Sequence, residues 1–314
     1  MVKNMKIRLG YVSIPKTLNI TCSHRITYTN YIKYPREIGL HKLDEIIAKN
    51  LENLKEILKY NLQNDITFYR LSSSIIPLAT HPALHYDYLK NHQTALEEIG
   101  KFINENHMRI DTHPDQFCVL NSCREKVVQN SIEILKYNYK LLKSIKLSPQ
   151  IIIHIGSSEL GKENALIRFE NNFNKLPKYL KESILLENDD KTYTLEDTLN
   201  LCEKLNIKMV FDYHHYKCNN KGEDLEKYIP RIIKTWKNQT PKMHFSSPKN
   251  KKEFRSHSAY LNPDEFIEFL NILKPLNKNI DIMLECKAKD DALFNLIRIL
   301  KYKNYQIKGT EINI

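Results

Sequence analysis

Short apolar runs rich in β-branched residues recur eight times along the chain, and each ends in or just before a polar residue. Between them, Ile and Leu recur at spacings of three and four residues, which is typical of amphipathic helices. The predicted strands cover residues 8–13, 66–73, 108–114, 151–156, 184–189, 208–215, 241–247 and 280–287. The predicted helices cover residues 44–64, 92–106, 124–145, 163–176, 194–206, 223–238, 262–273 and 290–303.

This alternation predicts an α/β fold with parallel strands and right-handed helical crossovers. Eight strand–helix units are the number that closes a (β/α)8 TIM barrel. No Gly-x-Gly-x-x-Gly motif follows the first strand, and the chain has only seven glycines, which disfavours an open nucleotide-binding sheet. No linker divides the sequence, so we predict a single TIM-barrel domain over residues 1–314, with long rim loops at 14–42 and 74–91.

The formal net charge of +11 favours a polyanionic partner such as nucleic acid. No apolar run approaches the roughly 20 residues of a membrane-spanning helix, and the N-terminal segment lacks the apolar core of a secretory signal. The six cysteines form no Cys-x-x-Cys pair, which is consistent with reduced thiols. We therefore expect a cytoplasmic protein with no membrane contact.

Polar side chains share one face of several predicted strands, because strand side chains alternate. Lys242 and His244, for example, lie opposite Met243 and Phe245. The polar face must then point into the barrel near its C-terminal mouth, where buried carboxylates and imidazoles would need a cation. The candidate metal ligands are His81, His113, His154, Glu187, Asp212, His215, His244, His257 and Glu285.

Nine ligands of this kind could hold two or three ions, and they suit zinc, manganese or iron rather than calcium. Paired metals are the usual equipment for phosphodiester cleavage. A lone histidine near a strand end is more often structural, and this applies to His81 and His257 taken alone. The prediction therefore depends on the convergence of the whole set at one rim.

Lys242 lies two residues before His244 and on the same face of its strand. Nearby metal ions should depress the pKa of its ammonium group. We expect this lysine to be neutral, carboxylated by carbon dioxide, or neutralised by Glu285. A lysine at the barrel mouth that binds phosphate is the alternative.

Segments between residues 8 and 290 together resemble the UV damage endonuclease family; they read RLGYVS, RLSSSIIPLATHP, THPDQFCVLNS, IIIHIG, LENDD, FDYHH, KMHFSS, HSAYLN and LECKAKD. The resemblance implies an endonuclease IV-like barrel that holds up to three divalent ions, with manganese favoured. It implies a nick immediately 5′ to pyrimidine dimers and (6-4) photoproducts, and often at abasic sites. It also implies the same nine ligands, and a carboxylated lysine at Lys242.

The resemblance further implies three residues that contact the lesion. Gln116 and Phe117 would push into the duplex opposite the damaged bases, and Tyr11 would lie near the extruded lesion. Tyrosine is the usual aromatic residue at the position of Phe117, so any hydrogen bond from its hydroxyl is missing here. The plain alternatives are that Phe117 packs under its own loop and that Tyr11 is a buried residue of the barrel mouth.

We therefore predict a metal-dependent endodeoxyribonuclease that acts as a monomer on damaged double-stranded DNA. We expect catalysis to depend on Lys242, Glu187, Glu285 and His244, with two to three ions of Mn2+, or of Zn2+, Mg2+ or Co2+. Two enzymatic alternatives are a xylose isomerase-like sugar isomerase or epimerase and an abasic-site endonuclease without preference for UV lesions. A third alternative is a non-catalytic, basic DNA-binding protein, which would not need nine converging ligands.

Overall fold

The computed structural model describes residues 5–84 and 86–314. Over these residues eight parallel strands alternate with helices, as the hydrophobic pattern predicts. The strands are β1 (Lys6–Val12), β2 (Phe68–Arg70), β3 (Arg109–Asp111), β4 (Ile151–His154), β5 (Ile184–Glu187), β6 (Lys208–Asp212), β7 (Lys242–Phe245) and β8 (Ile280–Leu284). The single-domain prediction also covers residues 1–4, and the loop predicted at 74–91 includes His85; these residues lie outside the described ones.

The eight strands close into a barrel. They pair in the order β3-β2-β1-β8-β7-β6-β5-β4. The two end strands meet at a parallel bridge between Thr112 and Ile151, where the Ile152 amide donates to the Thr112 carbonyl at 2.9 Å. The predicted TIM barrel is therefore confirmed, and the C-terminal ends of all eight strands lie on one rim.

Helices surround the barrel between residues 28 and 302. They are α1 (Tyr28–Tyr31), α2 (Arg36–Gln63), α3 (Tyr88–Asn91), α4 (Gln93–Glu105), α5 (Glu125–Ser144), α6 (Lys162–Lys175), α7 (Lys178–Ser183), α8 (Leu195–Leu205), α9 (Tyr213–Cys218), α10 (Leu225–Thr235), α11 (Pro263–Leu273) and α12 (Lys289–Tyr302). In residues 5–84 and 86–314, none of them is both long enough and apolar enough to cross a membrane.

The first rim loop is shorter than the predicted span of 14–42. Helix α2 begins at Arg36, directly after Pro35, with Glu37 in its first turn. The fixed φ angle of proline suits the beginning of a helix, and an acidic residue near the positive end of the helix dipole is favourable, so both residues favour this start. Gly39 is the sole buried residue before Leu43, so this part of the helix has no apolar stripe that a pattern could reveal.

A C-terminal hairpin is absent from the sequence prediction. It consists of β9 (Gln306–Lys308) and β10 (Glu311–Asn313), and β10 pairs antiparallel with residues 6–8 of β1. Strand β2 pairs with β1 only further along, at Tyr11 and Val12. The hairpin therefore covers the start of β1, at the end of the barrel opposite the rim.

The alternation predicted for the strands is present in β7. Phe245 packs against the rings of Phe266 and Phe269 on α11, with ring centroids 5.0 and 5.4 Å apart. Lys242 and His244 are fully buried on the other face and point into the barrel. The strand thus places polar side chains in the barrel interior and apolar side chains against the helices.

Candidate metal centre

Seven of the nine candidate ligands gather at the C-terminal ends of the strands. Register explains part of this convergence, because His154 lies beside Glu187 and Asp212 lies beside His244 in neighbouring parallel strands. The ligand atoms fall into three groups, and within each group all of them lie within 4.8 Å of one another. The three groups are the His113 group (His113, His154, Glu187), the Asp212 group (Glu187, Asp212, His215) and the Glu285 group (Glu187, His244, Glu285).

Glu187 belongs to all three groups. Its Oε2 lies 2.8 Å from His113 Nε2 and 3.6 Å from His154 Nε2. Its Oε1 lies 2.7 Å from His244 Nδ1 and 3.5 Å from His215 Nδ1. Burial opposes ionisation of this carboxyl, but the neighbouring His244 and His154 rings hold its pKa well below the usual range. A carboxylate shared in this way could serve adjacent metal ions if they were bound.

Backbone carbonyls orient two of the imidazole rings. His113 Nδ1 donates to the carbonyl of Pro114, and His215 Nδ1 donates to the carbonyl of Asn188, both at 2.9 Å. A carbonyl only accepts, so each neutral ring carries its proton on Nδ1 and its lone pair on Nε2. His113 Nε2 then faces the Glu187 carboxylate, and this contact needs either a second ring proton or a metal ion between the two.

Buried polar atoms without partners also favour cations at this rim. Asp212 Oδ2 and His154 Nδ1 are buried and have no hydrogen-bond partner among residues 5–84 and 86–314. An unpaired buried carboxylate oxygen is costly unless a cation satisfies it. Imidazole nitrogens and carboxylate oxygens together suit zinc, manganese or iron, so these residues fit divalent metal ions.

His81 and His257 lie outside the three groups. The His81 ring stacks on Tyr28, with centroids 3.9 Å apart. His257 Nδ1 donates to the backbone carbonyl of Glu285 at 2.6 Å, and its ring lies 6.2 Å from that of His215. His257 therefore borders the cluster, and metal ligation by His81 and His257 stays a prediction.

The carboxylate that pairs with Lys242 is Asp111, so of the three alternatives for this lysine the one that pairs it with Glu285 does not describe the structure. The Lys242 ammonium lies 2.5 Å from Asp111 Oδ2 and 3.1 Å from Gln150 Oε1. Burial lowers the pKa of Lys242 to about 7, although the Asp111 carboxylate opposes this shift. Asp111 takes this role because it ends β3, which lies across the barrel from β7, and its carboxylate meets the Lys242 ammonium in the barrel interior.

Arg70 and Asp111 were missed as residues of the site. Arg70, at the end of β2, is 4% exposed and contacts Asp111, Glu285 and His244. A signal was present in the sequence, because Asp111 precedes His113 by two residues, as Lys242 precedes His244. Alternation alone places both Asp111 and Arg70 on the interior face of their strands.

Two of the three predicted lesion contacts are exposed on a rim loop. Gln116 is exposed and the Phe117 side chain is 72% exposed, so the ring does not pack under its own loop. The loop is braced by Asp115, whose carboxylate accepts from the Phe117 amide at 2.9 Å. A cavity of about 820 Å3 runs from this loop to the rings of His154 and His215.

Tyr11 lies in a different environment. Its side chain is fully buried, packs edge-on against Tyr69 and donates to Asn61 Oδ1 at 2.7 Å. Burial raises the pKa of its hydroxyl well above the usual value. The plain alternative, a buried tyrosine, describes this position, and contact of Tyr11 with an extruded lesion stays a prediction.

The fold and the rim groups together define the class, a TIM barrel whose C-terminal rim carries buried histidine and carboxylate groups that could hold metal ions. Endonuclease IV from Thermus thermophilus has this fold, with a TM-score of 0.55 and 10% identity over 95% of this chain and 99% of that one. D-psicose 3-epimerase from Clostridium cellulolyticum H10 has it as well, with a TM-score of 0.52 and 12% identity over 74% and 79%. At these identities the likeness shows the fold alone.

Closer relatives define the family. The sequence profile of the UV-endonuclease UvdE family matches residues 7–312. The UV DNA damage endonuclease of Bacillus cereus strain B4264 is 44% identical over 298 residues, which cover 93% of this chain and 94% of the relative. The crystal structure of SacUVDE matches with a TM-score of 0.86 and 36% identity, over 95% of this chain and 99% of that one. The chain therefore belongs to the UV-endonuclease UvdE family, which indicates a nuclease with DNA as its substrate and confirms the resemblance seen in the motifs.

Proposed function

We propose that this protein is a metal-dependent repair endonuclease that nicks DNA immediately 5′ to cyclobutane pyrimidine dimers and (6-4) photoproducts. We extend the proposal to abasic sites, because the same rim would accept a duplex that is locally unstacked. The observation that carries the proposal is the sharing of Glu187 among three ligand groups at the rim, in a chain of this family. A non-catalytic DNA-binding protein has no use for such a cluster.

The rim offers a wedge for the damaged duplex. Gln116 and Phe117 project from a braced loop beside the cavity that leads to the ligand groups. A lesion is weakly stacked, so its extrusion costs less than that of intact bases. The Phe117 ring would fill the gap by stacking on the neighbouring base, and Gln116 would bond base edges there.

Basic residues near the wedge would hold the phosphate backbone. The loop 246–258 carries Lys249, Lys251, Lys252 and Arg255, and Lys251 and Lys252 are exposed. Together with the net charge of +11, this loop favours binding that weakens steeply with salt. Binding of this kind positions the duplex across the rim without reading its sequence.

The ligand groups would hold two to three divalent ions, with Mn2+ favoured and Zn2+, Mg2+ or Co2+ as alternatives. When bound, such ions lower the pKa of an attacking water and stabilise charge on the leaving 3′-oxygen. Glu187 would keep neighbouring ions at a fixed separation, and His244 and Glu285 would orient the ion nearest β7 and β8. Lys242, paired with Asp111 below the groups, would tune their charge either as an ammonium or after carboxylation.

We further propose that the protein works as a monomer in the cytoplasm. All seven grouped ligands come from one chain, so the site needs no residue from a partner subunit.

Nicking of irradiated plasmid tests the proposal. Purified protein with Mn2+ should nick UV-irradiated supercoiled plasmid and spare unirradiated plasmid, and a chelator should abolish the cutting. An end-labelled duplex with a single dimer should be cut at the 5′ side of the lesion. Equal cutting of both plasmids, or no cutting of either, would contradict the assignment. Cutting of abasic but not of irradiated DNA would favour the abasic-site alternative.

A further inference from the structure

A guanidinium lies at the base of the Glu285 group. Arg70 Nη1 donates to Glu285 Oε1 at 2.5 Å, and Nη2 donates to His244 Nε2 at 2.5 Å. In the described part of the chain, Glu187 and Asp212 form ion pairs with histidines but with no lysine or arginine. The Glu285 group therefore differs from the other two groups in having a permanent cation of the protein in contact with two of its members.

This contact determines where His244 carries its proton. A guanidinium only donates, so His244 Nε2 must accept from Arg70. The proton of the neutral ring is then on Nδ1, which faces Glu187 Oε1 at 2.7 Å. Both ring nitrogens of His244 are therefore engaged, and Nδ1, the nitrogen that faces Glu187 and Glu285, carries the proton. A metal ion could use Nδ1 only if this proton moved to Nε2, which requires Arg70 to withdraw from Nε2.

We propose that Arg70 is a built-in counter-ion of the Glu285 group, and that a divalent ion binds there only by displacing the guanidinium from Glu285 and His244. The inference rests on the proposed function, because it treats these side chains as metal ligands. Arg70 and a divalent ion would compete for the same carboxylate and would also repel each other at contact distance. The Glu285 group should therefore fill last and most weakly.

Asp111 provides the place to which the displaced cation can retreat. Its Oδ1 accepts from Arg70 Nε at 3.1 Å, and its Oδ2 lies 2.5 Å from the Lys242 ammonium. A guanidinium that leaves Glu285 and His244 can keep this bond without leaving the barrel. The exchange of a guanidinium for a metal ion therefore requires only a side-chain movement.

Calorimetric titration of the metal-free full-length protein with Mn2+, in the absence of DNA, tests the inference. Wild type should bind its last ion more weakly than the others. Arg70→Gln should bind the same number of ions, with the dissociation constant of the last ion lowered on the order of tenfold. The metal-free variant should also melt at a lower temperature than wild type, and saturating Mn2+ should raise its melting temperature by more than it raises that of wild type.

Arg109→Gln is the matched control. Arg109 is another arginine of the barrel interior, half-buried, and it donates to Asp281 and Gln150 rather than to a ligand group. This variant should lose stability and keep the metal affinities of wild type. If Arg70→Gln also leaves the weakest affinity unchanged, or if both variants shift it equally, the inference is wrong.

Two further measurements cover a variant that does not fold. Arg70→Lys keeps a positive charge but cannot reach Glu285 and His244 together. It should therefore raise the affinity for the last ion less than Arg70→Gln does. In wild type titrated with diamagnetic Zn2+, the NMR signals of the Arg70 Nη protons, which contact Glu285 and His244, should move with the last ion. Movement with the first ion, or no movement, contradicts displacement. If wild type binds no divalent ion, the proposed function fails too, whereas ion binding that is indifferent to Arg70 overturns this inference alone.

Discussion

Two layers of the barrel interior hold buried carboxylates, and the carboxylates of the two layers have different basic partners. In the layer towards the N-terminal ends of the strands, Asp281 accepts from Arg8 at 2.8 and 2.6 Å and from Arg109 at 2.6 Å. At the rim, Glu187, Asp212 and Glu285 have Arg70 as their sole lysine or arginine partner among residues 5–84 and 86–314, and it reaches Glu285 only. In the first layer arginines pair with the carboxylate. At the rim, Glu187 and Asp212 pair with histidines, as expected of groups that would hold a metal ion.

Buried carboxylates of the first layer are expected to support the stability of the barrel, and those of the rim its activity. A buried carboxylate that is fully paired is expected to hold its neighbours in place, and its loss is felt as lost stability. A buried carboxylate paired only with histidines has a cost in the metal-free protein, and under the proposed function a bound metal ion would offset it. We expect substitutions in the two layers to separate stability from activity.

The largest expected effect is that of Glu187→Gln at the rim. The amide keeps the size of the side chain and removes the charge shared by the three groups, so nicking of irradiated plasmid should fall on the order of 10³-fold or more. Binding to damaged duplex, measured by fluorescence anisotropy, should stay close to that of wild type. Loss of binding together with cutting would mean that Glu187 supports the structure of the rim rather than its chemistry.

Asp281→Ala should lower stability and leave metal binding unchanged. It leaves the half-buried Arg8 and Arg109 without their carboxylate, which should lower the free energy of unfolding by about 3–5 kcal/mol in urea titrations. The Mn2+ content of the folded variant should not change, because Asp281 belongs to none of the ligand groups. A variant that is as stable as wild type would show that this layer is not the structural one.

Phe117→Ala should have a moderate effect, confined to function. The ring is exposed in the free protein, so stability should change by less than about 0.5 kcal/mol. Loss of one stacked base should reduce cutting of irradiated plasmid by about tenfold. Phe117→Tyr is the matched control and should keep the activity; equal loss in both variants would contradict a stacking role.

The smallest effect is expected for the exposed lysines Lys251 and Lys252. Replacing one of them with alanine should reduce the slope of log affinity against log salt by about 1 if it contacts a phosphate. The reduction should be the same for damaged and undamaged duplex, because phosphate contacts carry no information about the lesion. A reduction seen only with damaged DNA would place that lysine at the lesion instead.

The alternation of strand and helix patterns is sufficient to predict the barrel and most of the residues that meet at its rim. Alternation within strands such as β7 separates an interior face from a helix-packing face, and parallel strands must end at one rim. Seven of the nine candidate ligands accordingly lie in three overlapping groups. Helix α2 was placed too far along the chain and the hairpin of β9 and β10 was missed, because the start of α2 has no apolar stripe and the hairpin strands are three residues each.

Only the tertiary structure decided how the charges pair. The sequence determined which residues point into the barrel, because that property depends on the local period of a strand. It did not determine that Lys242 meets Asp111, that Arg70 reaches Glu285 and His244, or that Tyr11 is buried against Asn61. These contacts join residues 50 to 215 positions apart, and they depend on strand register and barrel curvature, which no local pattern of hydrophobic and polar residues encodes.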